Sequence, residues 1–129
     1  MNGRFLLDTN IIIAFFAEDR SVREHMEQAE EVFVPSIVLG ELYFGAWKSG
    51  RAGQNLERID KFAARNTVLA CDRDTARQYG VIKNALREKG RPIPENDIWI
   101  AAIAQQYDLT LVTRDEHFRE VGQLKVEVW

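Results

Sequence analysis

The sequence has one cysteine, Cys71, and two histidines. A single cysteine excludes an internal disulfide framework and suits a reducing compartment, so the chain is expected in the cytoplasm. His25 and His117 sit in different segments with no metal-ligand spacing between them, and both are read as non-catalytic. No apolar run approaches the roughly 20 residues that cross a bilayer. The opening "MNGRFLLDTN" lacks the apolar core of a signal peptide. Basic charge is not in excess either: the formal net charge is −3. That argues against a protein that coats nucleic acid through bulk positive charge. It leaves room for an enzyme that gathers acids in a cleft and keeps bases on its rim. No Gly-x-x-x-x-Gly-Lys-[Ser/Thr] loop is present for nucleotide triphosphates, and there is no repeat, low-complexity tract or linker.

What is present fits one compact domain over residues 1–129, with 46% hydrophobic and 29% charged residues. Short apolar runs alternate with helical segments. Strands are expected at 4–7, 32–35, 67–70, 110–113 and 125–129, and Pro35 ends the second. Helices are expected over about 10–17, 18–30, 36–49, 53–65, 74–89 and 96–107. Ser36 is a candidate N-cap, Gly90 a helix stop, and 91–94 a stiff Pro-rich connector. This alternation implies β-α-β units: a three-layer α/β/α sandwich around a central, mostly parallel sheet.

In open parallel sheets, ligands bind beyond the carboxyl ends of the strands. Asp8 follows the first strand directly, and Asp115 follows the 110–113 strand with only Arg114 between. Asp97 falls in the first turn of a helix. Each of these has an adequate structural explanation, because Asp is a favoured N-cap and its charge suits a helix start. Glu41 has none. In "SIVLGELYFGAW" it lies mid-helix, with Ile37, Val38, Phe44 and Gly45 at helical spacing and no base nearer than Lys48. A buried carboxylate of this kind is ordinarily paired or coordinates a metal. Four acids brought to about 5 Å separations would repel by about 3 kcal/mol per pair at an effective dielectric of ~20. A divalent cation reverses that sign, and an all-oxygen site suits Mg²⁺ or Mn²⁺.

The segments "LLDTNI", "VLGELYFGA", "PENDIWIAAIA" and "LVTRDEHF", in this order and spanning nearly the whole chain, resemble the PIN domain in the form found in VapC-type bacterial toxin ribonucleases. The resemblance implies a PIN-like fold and a metal-dependent endoribonuclease that a small VapB-like antitoxin blocks. It implies an acidic quartet of Asp8, Glu41, Asp97 and Asp115, with Asn10 and Thr113 supporting the acids. On this reading Asp8 and Asp97 ligate Mg²⁺ or Mn²⁺ directly, while Glu41 and Asp115 complete the site or position the attacking water. Hydrolysis by metal-activated water would leave a 5′-phosphate and a 3′-hydroxyl. Structured RNAs of translation, tRNA or rRNA, are the expected substrates.

Bases should flank an acidic pocket that takes RNA. Lys48 and Arg51 follow the Glu41 helix, and Arg87, Lys89 and Arg91 precede the Asp97 helix; Lys48, Arg51 and Arg91 are the candidate phosphate contacts. Of the aromatics Phe15, Phe16, Tyr43, Phe44 and Trp47, most are expected in the core. A subset would line an antitoxin groove or a homodimer face. Two other readings compete. An aspartyl-phosphate phosphatase would need a second acid two residues after Asp8, where Asn10 stands. A PIN-like binding module without catalysis would use its acids only as caps and would ignore metal ions.

Overall fold

The computed structural model describes residues 3–129. Five strands, β1 (Arg4–Leu7), β2 (Glu31–Pro35), β3 (Thr67–Leu69), β4 (Thr110–Val112) and β5 (Val126–Glu127), form one sheet. Its order is β3-β2-β1-β4-β5, and every pairing is parallel. Six helices connect them: α1 (Thr9–Phe16), α2 (Arg20–Gln28), α3 (Ser36–Lys48), α4 (Ala52–Arg65), α5 (Arg73–Lys89) and α6 (Glu95–Gln106). The chain builds outward from β1 to β2 and β3, then returns through α5 and α6 to β4 on the other side. Right-handed crossovers therefore put α1–α4 and α5–α6 on opposite faces of the sheet. This is the three-layer α/β/α arrangement expected, with the direction of winding reversing between β1 and β4.

That reversal sets the position of the site. Leu6, Leu7, Leu111 and Val112 are fully buried, as central parallel strands covered on both faces must be. The register pairs Leu7 with Val112, so the next residues, Asp8 and Thr113, emerge side by side at the switch point where β1 and β4 part. Asp8 N–H still donates to the Val112 carbonyl at 3.0 Å, which fixes its backbone before the chain turns into α1.

α6 explains how a polar segment reaches the same edge. Ile98, Ile100, Ala101, Ala102, Ile103 and Ala104 are all buried. A helix apolar on nearly every side is a core helix, and its alanines let neighbours approach closely. Its first turn, carrying Asp97, is thereby held at the cleft. Upstream, α5 ends on Gly90 in the left-handed conformation (φ 68°). Gly90 tolerates that conformation without a Cβ penalty, and residues 91–94 then run extended into α6.

Two expectations are corrected. Pro35, not Ser36, occupies the N-cap of α3, and no side chain caps that helix; Ser36 is already helical because Pro35 holds the extended backbone from which the helix starts. The last strand spans only Val126–Glu127, since β5 is a sheet edge with a single neighbour, β4.

Candidate active site

Asp8 caps α1: its Oδ1 accepts from the Thr9 N–H at 2.8 Å. Its other oxygen, Oδ2, accepts from the Thr113 hydroxyl at 2.7 Å and from the Asn10 amide at 3.3 Å. Asp8 is only 5% exposed and Thr113 1%. A carboxylate so deeply placed is held by all the donors the strand end offers. Burial nonetheless raises its pKa above the ordinary 3.8. Hydrogen bonds from Thr113 and Thr9 oppose that rise, while the charges of Glu41 and Asp115 add to it.

Asn10 and Thr113 do more than support Asp8. The Asn10 carbonyl oxygen accepts from the Arg114 N–H at 3.1 Å, and its amide nitrogen reaches the Thr113 Oγ1 at 3.4 Å. Thr113 Oγ1 in turn accepts from the Asp115 N–H at 3.0 Å. The start of α1 and the segment after β4 are thus stitched into one unit. Arg114 extends it: its guanidinium donates to Asp19 Oδ2 and to the Trp129 carbonyl, each at 3.0 Å. Asp115 then caps the short 3₁₀ turn Glu116–Glu120 by accepting from the His117 N–H at 2.9 Å.

Glu41 differs from expectation. It is half-buried rather than buried, and its neighbours Phe44 and Gly45 are exposed. The hydroxyl of Thr9 donates to Glu41 Oε1 at 2.7 Å, so a neutral group, not a base, meets the carboxylate. The helix face that looked apolar in sequence opens onto a groove of about 410 Å³ lined by Thr9, Ile13, Phe16, Gly45 and Ala46 beside Glu41.

Asp97 makes no cap bond; Pro94 is the N-cap of α6. Its side chain is 14% exposed. Its pKa is raised from 3.8 to about 6, first by burial, then by the charges of Asp8 and Asp115, with Glu41 adding and His117 opposing. All four predicted acids therefore face one another electrostatically. Among the described residues, no lysine or arginine forms an ion pair with any of them; the basic side chain in reach is the His117 imidazole, beside Asp97 and Asp115. Asp97, Asp115 and His117 place one ligand atom each within 4.8 Å of one another. Hard oxygen donors, fixed by hydroxyl and amide hydrogen bonds and left with uncompensated negative charge, are the donor set that a divalent cation requires.

Thr9 and His117 were missed in sequence. Thr9 was legible in "DTN", since a threonine after the strand-end acid projects from the first turn of α1. His117 looked isolated because its partners are 20 residues away in α6 and two away at the entry to the short helical turn expected after β4, observed as a 3₁₀ turn. The flanking bases divide. Arg91 lines a concavity of about 720 Å³ together with Arg114, Asp115 and His117. Lys48 lies seven residues, about 10 Å, along α3 from Glu41, with its ammonium over the Phe44 ring at 4.5 Å from the centroid. Arg51 precedes α4, and its N–H donates to the Ser49 hydroxyl. Of the aromatics, Phe15, Phe16 and Tyr43 pack against the core, whereas Phe44 and Trp47 are exposed. No helix is long and apolar enough to cross a membrane among the described residues.

A family model described as the PIN domain matches residues 5–124. The chain is 36% identical over 130 residues to a Haemophilus influenzae protein called Ribonuclease VapC2, covering 98% of each. It is 36% identical over 129 residues to a Shigella flexneri protein called tRNA(fMet)-specific endonuclease VapC, again covering 98% of each. Among solved structures, it resembles a chain of DNA-bound VapBC from Salmonella typhimurium, with a TM-score of 0.91 at 32% identity, covering 100% of this chain and 99% of that one. A chain of promoter-bound VapBC2 from Rickettsia felis gives 0.90 at 30% identity, covering 98% of each.

Proposed function

Because the chain belongs to the PIN-domain family, among the VapC ribonucleases, we propose that it is the endoribonuclease toxin of a toxin–antitoxin pair, acting with a divalent cation, Mg²⁺ or Mn²⁺. The observation that carries this reading is the meeting of Asp8, Glu41, Asp97 and Asp115 at the β1–β4 switch point with no lysine or arginine among the described residues ion-paired to them. Caps alone do not account for it, since Asp97 and Glu41 cap nothing. That counts against the non-catalytic binding module. The phosphatase reading still lacks its second acid, because the position two after Asp8 is an amide that bonds to Asp8.

Asp8 and Asp97 are the principal cation ligands in this proposal, with Asp115 and Glu41 completing the site. When bound, the cation neutralises charge at the scissile phosphate and acidifies a water. The protein's own contribution is orientation. Thr9 N–H, Thr113 Oγ1 and Asn10 Nδ2 hold both oxygens of Asp8 in one geometry. Thr9 Oγ1 engages Glu41 Oε1 and leaves Oε2 free to accept a proton from the attacking water. Water attack breaks the P–O3′ bond and leaves a 3′-hydroxyl and a 5′-phosphate. Arg91, on the same concavity as Asp115, meets the RNA backbone. The related endonuclease of Shigella supports tRNA as the substrate class.

The VapBC complexes among the structural relatives support a VapB-like antitoxin as partner. The groove beside Glu41, lined in part by exposed Ile13, together with Phe44 and Trp47, exposed on the same helix α3, is the surface we assign to it. We expect the toxin to be a homodimer and to act in the cytoplasm. The test is cleavage of RNA by the purified chain with Mg²⁺ or Mn²⁺. Asp8→Asn should abolish cleavage while circular dichroism reports an intact fold, and full cleavage by that variant refutes the assignment.

A further inference from the structure

His117 is delivered to the acidic cleft by a specific local construction. Thr113 Oγ1 binds the Asp115 N–H, and Asp115 Oδ1 binds the His117 N–H, so the entry to the 3₁₀ turn is fixed. The next residue, Phe118, is fully buried and anchors the turn from below. Glu116 and Arg119, three apart and therefore on one side of a 3₁₀ turn, pair with each other at 3.5 Å. The imidazole is left facing the acids. Its Nδ1 lies 3.0 Å from Asp115 Oδ1 and 3.6 Å from Asp97 Oδ2.

Those spacings have a chemical meaning. Two ligands each about 2.1 Å from a shared octahedral ion, at right angles, are about 3.0 Å apart. The Nδ1–Oδ1 and Nδ1–Oδ2 separations approach the edges of such a coordination polyhedron. We propose that His117 Nδ1 is a ligand of the site's divalent cation, beside Asp97 and Asp115, and that this nitrogen makes the site prefer Mn²⁺ to Mg²⁺. Mg²⁺ is a hard ion that favours carboxylate and water oxygens, whereas affinity for an imidazole rises along the first-row transition series. An all-carboxylate quartet gives Mn²⁺ little advantage; one added nitrogen does. The inference rests on the proposed cation site and assigns it a fifth residue.

The rival role is purely orienting: Nδ1–H would donate to Asp115 and never touch the ion. His117→Asn separates the two, because the Asn amide sits where Nδ1 sits and can still donate to Asp115, yet is a poor transition-metal ligand. The side chain is 56% exposed, so the substitution leaves the fold intact. The experiment uses the full chain loaded with Mn²⁺ and pulsed electron paramagnetic resonance. The wild type should show coupling to ¹⁴N of the strength of a directly bound imidazole, and His117→Asn should lose it. The other histidine, His25, stacks on Trp129 and has its Nδ1 at 2.8 Å from the Ser21 carbonyl, so the signal reports His117. In parallel titrations, His117→Asn should bind Mn²⁺ at least about tenfold more weakly, since even outer-sphere partners of a ligand are worth that much. Its Mg²⁺ affinity should change far less.

Mn²⁺ binding without nitrogen coupling overturns this proposal and leaves the nuclease site standing. So does an equal loss for both ions, which would mark His117 as an orienting residue only. Failure of the wild type to bind either ion overturns the site itself, and His117 ligation with it.

Discussion

Replacing Asp97 with Asn should make the metal-free protein more stable and the metal-loaded protein less so. A carboxyl displaced from 3.8 to about 6 costs the folded chain about 3 kcal/mol when ionised, at 1.36 kcal/mol per pH unit. The group sits at the rim of an open cleft, where water screens it. Ionised, it also interacts favourably with the α6 N-terminus, an advantage that Asn retains only in part. The net gain for Asp97→Asn is then about 1–2 kcal/mol at pH 8 in EDTA. For a chain of this length that raises the unfolding midpoint by about 4–8 °C. The sign follows from proton counting. Between pH 3.8 and 6 the folded wild type binds more protons than the unfolded chain, so its stability falls as pH rises through that window. The penalty is complete above about pH 6 and absent below 3.8. The advantage of Asn should therefore shrink to near zero by pH 4. If Asp97 is a ligand as proposed, adding Mn²⁺ at 100 times its dissociation constant should stabilise the wild type by about 2.7 kcal/mol; the variant should gain less and the order should reverse. Calorimetry or urea unfolding across pH, with and without cation, measures all of this. An Asp97→Asn protein that is less stable than wild type in EDTA at pH 8 refutes the electrostatic account. So does a gain that is the same at pH 4.

Thr113→Val keeps the shape of a fully buried side chain but removes the donor to Asp8 and the acceptor for the Asp115 N–H; urea unfolding should show a loss of about 1–3 kcal/mol, and no loss would mean that water replaces the hydroxyl. Trp47→Ala should leave stability within about 0.5 kcal/mol, because the ring is 68% exposed, while weakening capture by the cognate antitoxin in a binding titration; unchanged antitoxin affinity would move the partner surface elsewhere. Arg91→Ala should raise KM for RNA with kcat nearly unchanged and reduce the salt dependence of binding by about one phosphate contact; an unchanged salt slope would remove Arg91 from the RNA path.

The strands were legible because parallel strands buried on both faces read as short apolar runs, and Leu6–Leu7 and Leu111–Val112 are of that kind. A mostly parallel sheet followed from alternation with helices; the strand order and the absence of any antiparallel pairing among the described residues come from the structure. Element ends were less legible. Pro35 took the cap from Ser36, and β5 shrank to two residues, because caps and edge strands depend on neighbours that no local pattern encodes. At the site, Asp8, Asp97 and Asp115 stood out by their positions after strands and in a helix turn, and Glu41 by its place mid-helix, while the set of four was implied by the family resemblance. Their hydrogen-bond partners could not, except for those adjacent in sequence. His117 was invisible for a physical reason: its distance from Asp97 is set by the fold of a 3₁₀ turn and the docking of α6.

Glu41 was the residue by which capping and chemistry were told apart, and the structure changes the terms of that contrast. Asp8 and Asp115 do cap, accepting from Thr9 and His117 N–H groups, and yet they belong to the cluster that raises the pKa of Asp97. The two roles use different lone pairs of the same side chain. A capping carboxylate is bound to backbone N–H groups whose positions the helix fixes, so it has little freedom left, and its remaining lone pairs point where the strand end aims them. That rigidity is what an acid needs if it is to face other acids without turning away. The cap is therefore part of how the charge is held in place, and losing it should cost cation affinity as well as helix stability.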